Sequence, residues 1–475
     1  MVSKKIVIIA IIVAAILVSV YLDQSFSKVQ LQNVTPEKKN PYVKEYSLPV
    51  GSAPNGLVAD KTGLVWVTAQ NATLYSVDPS SGQVEKYLIK SGTIPYTNAG
   101  VNSTMVWAIV QDDTGNIWLS PLGAKTIWRF DPSSHAFISY VSKTGAPFQI
   151  KADKKGEVWF TTLRVNTVGV IKPQNNDYTI STFDTGSDTN PAGIFLQNNS
   201  VWIANVGTQN IFKYVINQKD NLAQDITLAQ KTPKDNVTLF SAPTDLLVDK
   251  NVLWLTEHGT SFLTSYDLTD GKITRYPTSQ NNFHTTTLPF WIRGVDDPKV
   301  LWFNEHQGNK IGRFDVSNKT LIEYDIPSLP KDGYLTYPLN ISQDPRDEKV
   351  LWFSEWNTDK VGVVNGNMPI PFDLDLNVTQ VVLSHNKIGV VDVTITGASH
   401  YSDTLSLNTS SSITPTAELG NLTVKFSSDM ASPSHGTIHV SLNGSQVNPG
   451  NYTLGISASD GFVTKTKFLD LRVIQ

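Results

Sequence analysis

The 475-residue chain has no cysteine, which removes disulfides, thiolate metal sites and cysteine nucleophiles together. Charge is also scarce. Charged residues make up 17% of the chain and leave a net charge of −4, so no basic face recommends nucleic acid as a partner. What the chain has in quantity is Asn, Thr, Ser, Val and Tyr, the residues that fill strands and turns. The composition therefore predicts an all-β protein. A length of 475 residues exceeds one ordinary core and points to two or three domains.

Long hydrophobic runs are absent except at the start. Lys4 and Lys5 precede "IVIIAIIVAAILVSVYL", Ile6 to Leu22, just long enough to cross a bilayer core of about 30 Å. A cleavable signal peptide is the competing reading, but Tyr21 and Leu22 stand where a small-x-small site is needed. Either reading exports the bulk of the chain. We read residues 1–23 as a transmembrane signal anchor, residues 24–41 as a linker and the protein as a single-pass cell-membrane protein with an extracytoplasmic bulk. Twelve N-x-S/T sequons, Asn71, Asn102, Asn236, Asn340 and Asn451 among them, permit glycosylation there.

The remainder is repetitive. Strands of the type "LVWVTA", "NIWLSP", "EVWFTT", "SVWIAN", "VLWLTE", "VLWFNE" and "VLWFSE" are anchored on Trp66, Trp118, Trp159, Trp202, Trp254, Trp302 and Trp352. The anchors are 41 to 52 residues apart, the period of four-stranded propeller blades with variable loops. Seven anchors predict seven blades, with each tryptophan packed between neighbouring sheets. The seventh unit lacks an outer strand, and "VKEYSL" near the start matches the outer strand "LIEYDI" of the sixth. Lys44 to Leu48 should then close the ring as the last blade's outer strand. The propeller is expected over 42–367.

Tryptophan stops at Met368, and short alternating strands follow, ending in a hairpin with an Asp460-Gly461 turn. Residues 368–475 read as an immunoglobulin-like β-sandwich, a spacer or adhesion module.

Three residues past its tryptophan, each of the last three blades carries a glutamate: Glu257, Glu305 and Glu355. Carboxylates gathered at one channel mouth would need a cation, and an oxygen-rich site favours Mg²⁺ or Ca²⁺. The alternative is that each glutamate bonds to backbone or to the next blade. His258 and His306 follow two of these glutamates and are candidate bases, although strand alternation turns them away unless the chain has already entered the loop. Asp245, Arg293, Trp291 and Trp356 are candidate ligand-binding residues. Loops carrying Tyr96, Phe283, Phe290, Trp291, Tyr334 and Tyr337 should cover the mouth.

The unit "LWF(T/S/N)E … NKIGRFD … EY.IP" resembles the streptogramin lyase, or virginiamycin B lyase, family across all seven units. That resemblance implies a seven-bladed propeller which opens a macrocyclic lactone by elimination, using Mg²⁺, glutamates and histidines at the mouth. The glutamate position carries over onto Glu257, Glu305 and Glu355. The family's P-H-[GA]-I histidines do not, since Asn55, Phe148, Ala192, Thr244, Phe290 and Leu339 stand there. Two functions follow: a surface protein that binds a small molecule, glycan or protein partner, or a Mg-dependent lyase or hydrolase acting on a lactone-like substrate.

Overall fold

A computed structural model describes residues 39–474 apart from several short stretches, chiefly 90–105, 217–221, 229–238, 281–283, 295–299, 330–336 and 414–419. The N-terminal anchor and the loop residues Tyr96, Phe283 and Tyr334 lie outside the described residues. Among the described residues every regular element is a strand, and no helix is long and apolar enough to cross a membrane.

Seven four-stranded antiparallel sheets follow one another along the chain. Their innermost strands touch in a closed circle, blade 1 to 2 and onward to blade 7, which meets blade 1 again. The missing strand comes from the other end of the chain, as the sequence predicts. Val43–Ser47 pairs antiparallel with Lys360–Val364, and Leu48 N donates to Asp359 O at 2.8 Å. All seven repeat tryptophans are buried between sheets. Four of them also carry a polar task that packing alone does not require, Trp302 by donating to Glu348 O at 3.1 Å and three others to an aspartate. The indole N–H of Trp66 donates to Asp60 at 2.8 Å, that of Trp118 to Asp112 at 2.6 Å, and that of Trp352 to Asp344 at 3.1 Å. Asp60 also accepts from the backbone of Thr62, Gly63 and Leu64, so one carboxylate holds both the turn and the ring that follows it.

The C-terminal residues form two sheets that share an apolar core, with Leu374, Val393 and Ile395 on one side and Leu454, Ile456 and Leu471 on the other. The strands Gly450–Ser459 and Val463–Ile474 are joined at the expected turn, where Gly461 has φ +82° and Asp460 accepts from the N–H groups of Phe462 and Val463. This body is not merely tethered to the propeller. Its last strand pairs with the outer strand of blade 6, Thr320–Tyr324 against Val463–Lys467, so that one continuous sheet crosses from propeller to sandwich. Outer strands of blades 1 to 3 are largely exposed, whereas "TLIEYD" is buried over its first five residues beneath this added strand. Asn40 reinforces the seam, its amide donating to Asp325 O at 2.7 Å and to Phe462 O at 3.0 Å.

Candidate functional site at the channel mouth

Each blade's second strand ends beside the entry of its innermost strand, with Glu257 opposite Pro243, Glu305 opposite Pro289 and Glu355 opposite Pro338. Just before each of these prolines stands a residue at positive φ: Ala242 at 45°, Leu288 at 51° and Tyr337 at 50°. Their carbonyls accept the backbone N–H of His258, His306 and Trp356 respectively. The hook ends the strand at the glutamate and breaks the alternation there.

That break reverses the expected division of labour. The histidines turn inward, and the glutamates turn back among the strands of their own blades. His258 and His306 are both buried, with ring centroids 5.2 Å apart, and both lie against Phe290, at 4.7 and 4.2 Å. Phe290 and Trp291 occupy a register shift at the entry of blade 6 and are both buried. Trp107 of blade 2 stacks on Phe148 of blade 3 at 5.5 Å and meets Phe290 edge-on at 6.3 Å. Phe148 also contacts Trp291 at 5.9 Å. Blades 2 and 3 are not neighbours of blade 6, so these rings span the channel. Phe290, Trp291 and Tyr337 are thus core rather than lid. Trp356 packs half-buried against the same apolar cluster.

Burial pushes His258 down to about 4, against the backbone carbonyls of Pro289 and Leu288, which favour its charged form. Burial and then the neighbouring His258 hold His306 well below the ordinary histidine value. Around these rings, Nε1 of Trp107 and Trp291, Nδ1 of His258 and Nε2 of His306 are buried without a hydrogen-bond partner.

The glutamates do not converge. Glu257 accepts from Arg275 Nε at 2.8 Å, Thr264 Oγ1 at 2.6 Å and Ser241 N at 2.7 Å. Glu305 lies among Glu323, Lys310 and Asp325. Burial, then the Glu323 carboxylate, raise its carboxyl well above the usual range, with Lys310 opposing. Glu355 is raised in the same way by burial and Glu45, with Thr358 and Lys360 opposing. Among the described residues no three His, Asp or Glu side chains come close enough to hold a metal ion. The residues present therefore do not fit the shared Mg²⁺ or Ca²⁺ site that three equivalent carboxylates suggest. Bonding within the blade describes Glu257, and Glu355 accepts from Thr358 Oγ1 at 2.7 Å, whereas both carboxylate oxygens of Glu305 are buried without a hydrogen-bond partner.

Blades 6 and 7 repeat one clasp that the sequence reading missed. Lys310 donates to Ser279 Oγ at 2.5 Å while Glu323 accepts from Ser279 N at 2.7 Å. One blade on, Lys360 donates to Ser328 Oγ and to Glu45 at 2.8 Å, and Glu45 accepts from Ser328 N at 3.1 Å. Both serines lie on the chain that leads out of the preceding blade. The signal was present as a lysine five residues after the glutamate and a glutamate in the outer "EY" strand, at Glu323 and Glu45.

Asp245 and Arg293 do meet. Arg293 donates to Asp245 at 2.8 Å, and Gln149 Nε2 reaches the same carboxylate at 3.0 Å from blade 3. Ile292 N and Leu246 N complete its shell at 3.1 and 3.0 Å. Lys151 faces this group. Burial, then the Arg293 charge, lower its ammonium to about 8, with Asp245 acting the other way. The constellation bridges blades 3, 5 and 6 and fixes the channel rather than opening it. Arg293 also stands over the Trp291 ring, at 5.8 Å from its centroid.

Three comparisons bear on this geometry. A model of the virginiamycin B lyase family matches residues 101–377. The structure resembles an inactive His-to-Ala variant of virginiamycin B lyase from Staphylococcus aureus, crystallised with quinupristin, at TM-score 0.52 and 22% identity, covering 68% of this chain and 98% of that one. WD40 repeats of RRP9 match at TM-score 0.51 and 10% identity, over 68% and 97% of the two chains, and the extracellular domain of a putative one-component system from B. thetaiotaomicron at 0.48 and 14%, over 91% and 58%. The likenesses to the lyase and to RRP9 speak for the fold alone. No curated protein matches the chain.

Proposed function

The chain belongs to the virginiamycin B lyase family, and from that premise we propose that it is a binding member, not a lyase, displayed outside the cell on an N-terminal membrane anchor. One observation carries the reading. The mouth is filled by rings from blades 2, 3 and 6, and four ring nitrogens around Phe290 are buried without partners. Buried polar groups are nearly always satisfied, so four such nitrogens around one ring give the apolar mouth a polar lining suited to a ligand. An uncharged small molecule bearing oxygen acceptors suits them, with aromatic faces for its apolar parts.

Catalysis is poorly served by the same residues. Phe148 and Phe290 stand where the family pattern has histidines, and burial holds His258 and His306 below the ordinary histidine value, which weakens both as bases. The Mg-dependent lyase or hydrolase on a lactone-like substrate is the second reading, favoured only by two histidines meeting at the mouth. In the binding reading the C-terminal sandwich is an immunoglobulin-like spacer, and exposed sequons such as Asn71, on blade 1, are glycosylation sites. Asn340 is buried and is set aside.

The test uses quinupristin, the ligand named for the S. aureus relative. Incubation with Mg²⁺ should leave it intact by mass spectrometry. A tryptophan-fluorescence screen of small uncharged cyclic esters and amides should find ligands whose signal is lost in Trp291→Phe. Ring-opened quinupristin would overturn the reading.

A further inference from the structure

A cavity lies on the outer side of blade 5, behind Glu257 and away from the ring cluster that fills the channel. Between the outer strand of blade 5, Ile273–Pro277, and the C-terminal sheet is a cleft of about 600 Å³, within the range of small-ligand sites. Domain junctions are favoured places for such sites. The strand pairing that fuses the sandwich to blade 6 also fixes this cleft's far wall, because the same strand, Val463–Ile474, contributes to both.

The register of that wall is informative. Gln380 pairs with Asp470, and Asp470 pairs with Thr453, so amide, carboxylate and hydroxyl stand in one row across three strands. In the adjacent row Arg472 pairs with Asn451. Neighbouring strands are about 4.8 Å apart, close to the length of one pyranose residue, so the row offers hydrogen-bonding groups at the repeat of a sugar chain. Asp470, Arg472, Gln380 and Asn451 are exposed. The opposite wall brings Lys272 and Thr274.

Charge narrows the ligand. The cleft is lined by Lys272, Arg275 and Arg472 against Glu257 and Asp470, and Glu257 is already bonded to Arg275. Two exposed cations therefore face one free carboxylate. We propose that this cleft binds an acidic saccharide, its hydroxyls held by the row of Gln380, Asp470 and Thr453 and its carboxylate by Arg472 and Lys272. This site is separate from the mouth and stands whatever the mouth binds.

The experiment is calorimetric titration of the full chain with tetragalacturonate, maltotetraose and inorganic phosphate. Tetragalacturonate should bind, more weakly at high salt, and its affinity should fall at least tenfold in Arg472→Ala and in Asp470→Asn. Both side chains are exposed, so the variants should fold, and Lys387→Ala, on an exposed site away from the cleft, should bind as the parent does. Four results would each overturn the proposal: no binding of tetragalacturonate, binding unchanged in both cleft variants, equal binding of maltotetraose, or displacement by equimolar phosphate. None of them bears on whether quinupristin is opened.

Discussion

The imidazoles of His258 and His306 meet edge to face with their centroids 5.2 Å apart, and Phe290 packs against both. They come from successive blades, each turned toward the axis by a backbone carbonyl at the preceding blade entry. Two bases so placed are structural before they are chemical.

Acid should expose them. Both rings titrate below the ordinary 6.5 in the folded chain, so the unfolded chain takes up protons that the folded one refuses. Their contribution is complete above about pH 6.5 and is lost as pH falls toward 4. Glu305 and Glu355, raised by burial, act with the opposite sign, but they are common to parent and variant. Urea unfolding of the parent and of His258→Gln/His306→Gln between pH 7 and 5 isolates the rings. The parent should lose stability faster by about 1 kcal/mol per pH unit per ring. Parallel slopes would refute this.

The three equivalent glutamates should respond differently to one substitution. Glu257→Gln leaves Arg275 without its carboxylate, though still bonded to Leu239 O, and because that guanidinium is 28% exposed the cost should be about 2 kcal/mol, below that of a fully buried pair. Glu305→Gln mimics the protonated acid that its surroundings already favour and should change stability at pH 7 by less than about 1 kcal/mol. Chemical denaturation of the two variants checks the difference, and equal losses would count against it.

Removing the sandwich should not yield a well-behaved propeller. Truncation after residue 367 uncovers Thr320–Tyr324, an apolar edge now paired with Val463–Lys467. Light scattering should show self-association of the truncated chain, relieved by placing a charge at Ile322, whose side chain lies near that edge. A monodisperse monomer without that change would show that the seam is dispensable.

Deletion from the start has a sharp limit. Losing residues 1–30 spares Val43–Ser47, whereas losing 1–50 removes blade 7's outer strand and with it the pairing to Lys360–Val364. The melting temperature should be unchanged in the first case and lower by several degrees in the second, since each kcal/mol lost shifts a chain of this size by about 1 °C. Calorimetry of both truncations decides.

The sequence by itself determined the repeat, the number of blades, the ring closure through "VKEYSL" and the Asp460-Gly461 hairpin, because each depends on local periodicity or on a strand whose partner is missing. It also brought forward Asp245 and Arg293, which do pair. The directions of side chains at the mouth were decided only in three dimensions. A strict alternation sends Glu305 inward and His306 away; the hook from Leu288 ends the strand between them and turns the histidine to the axis. Likewise, "TLIEYD" is no more apolar than the outer strand "AFISYV" of blade 2, and only the fold supplies the partner strand, about 140 residues later in the chain, that covers it. Local pattern sets which strands form. Which side chains meet depends on where bulges and strained turns stop the pattern, and on contacts between residues that no sequence spacing relates.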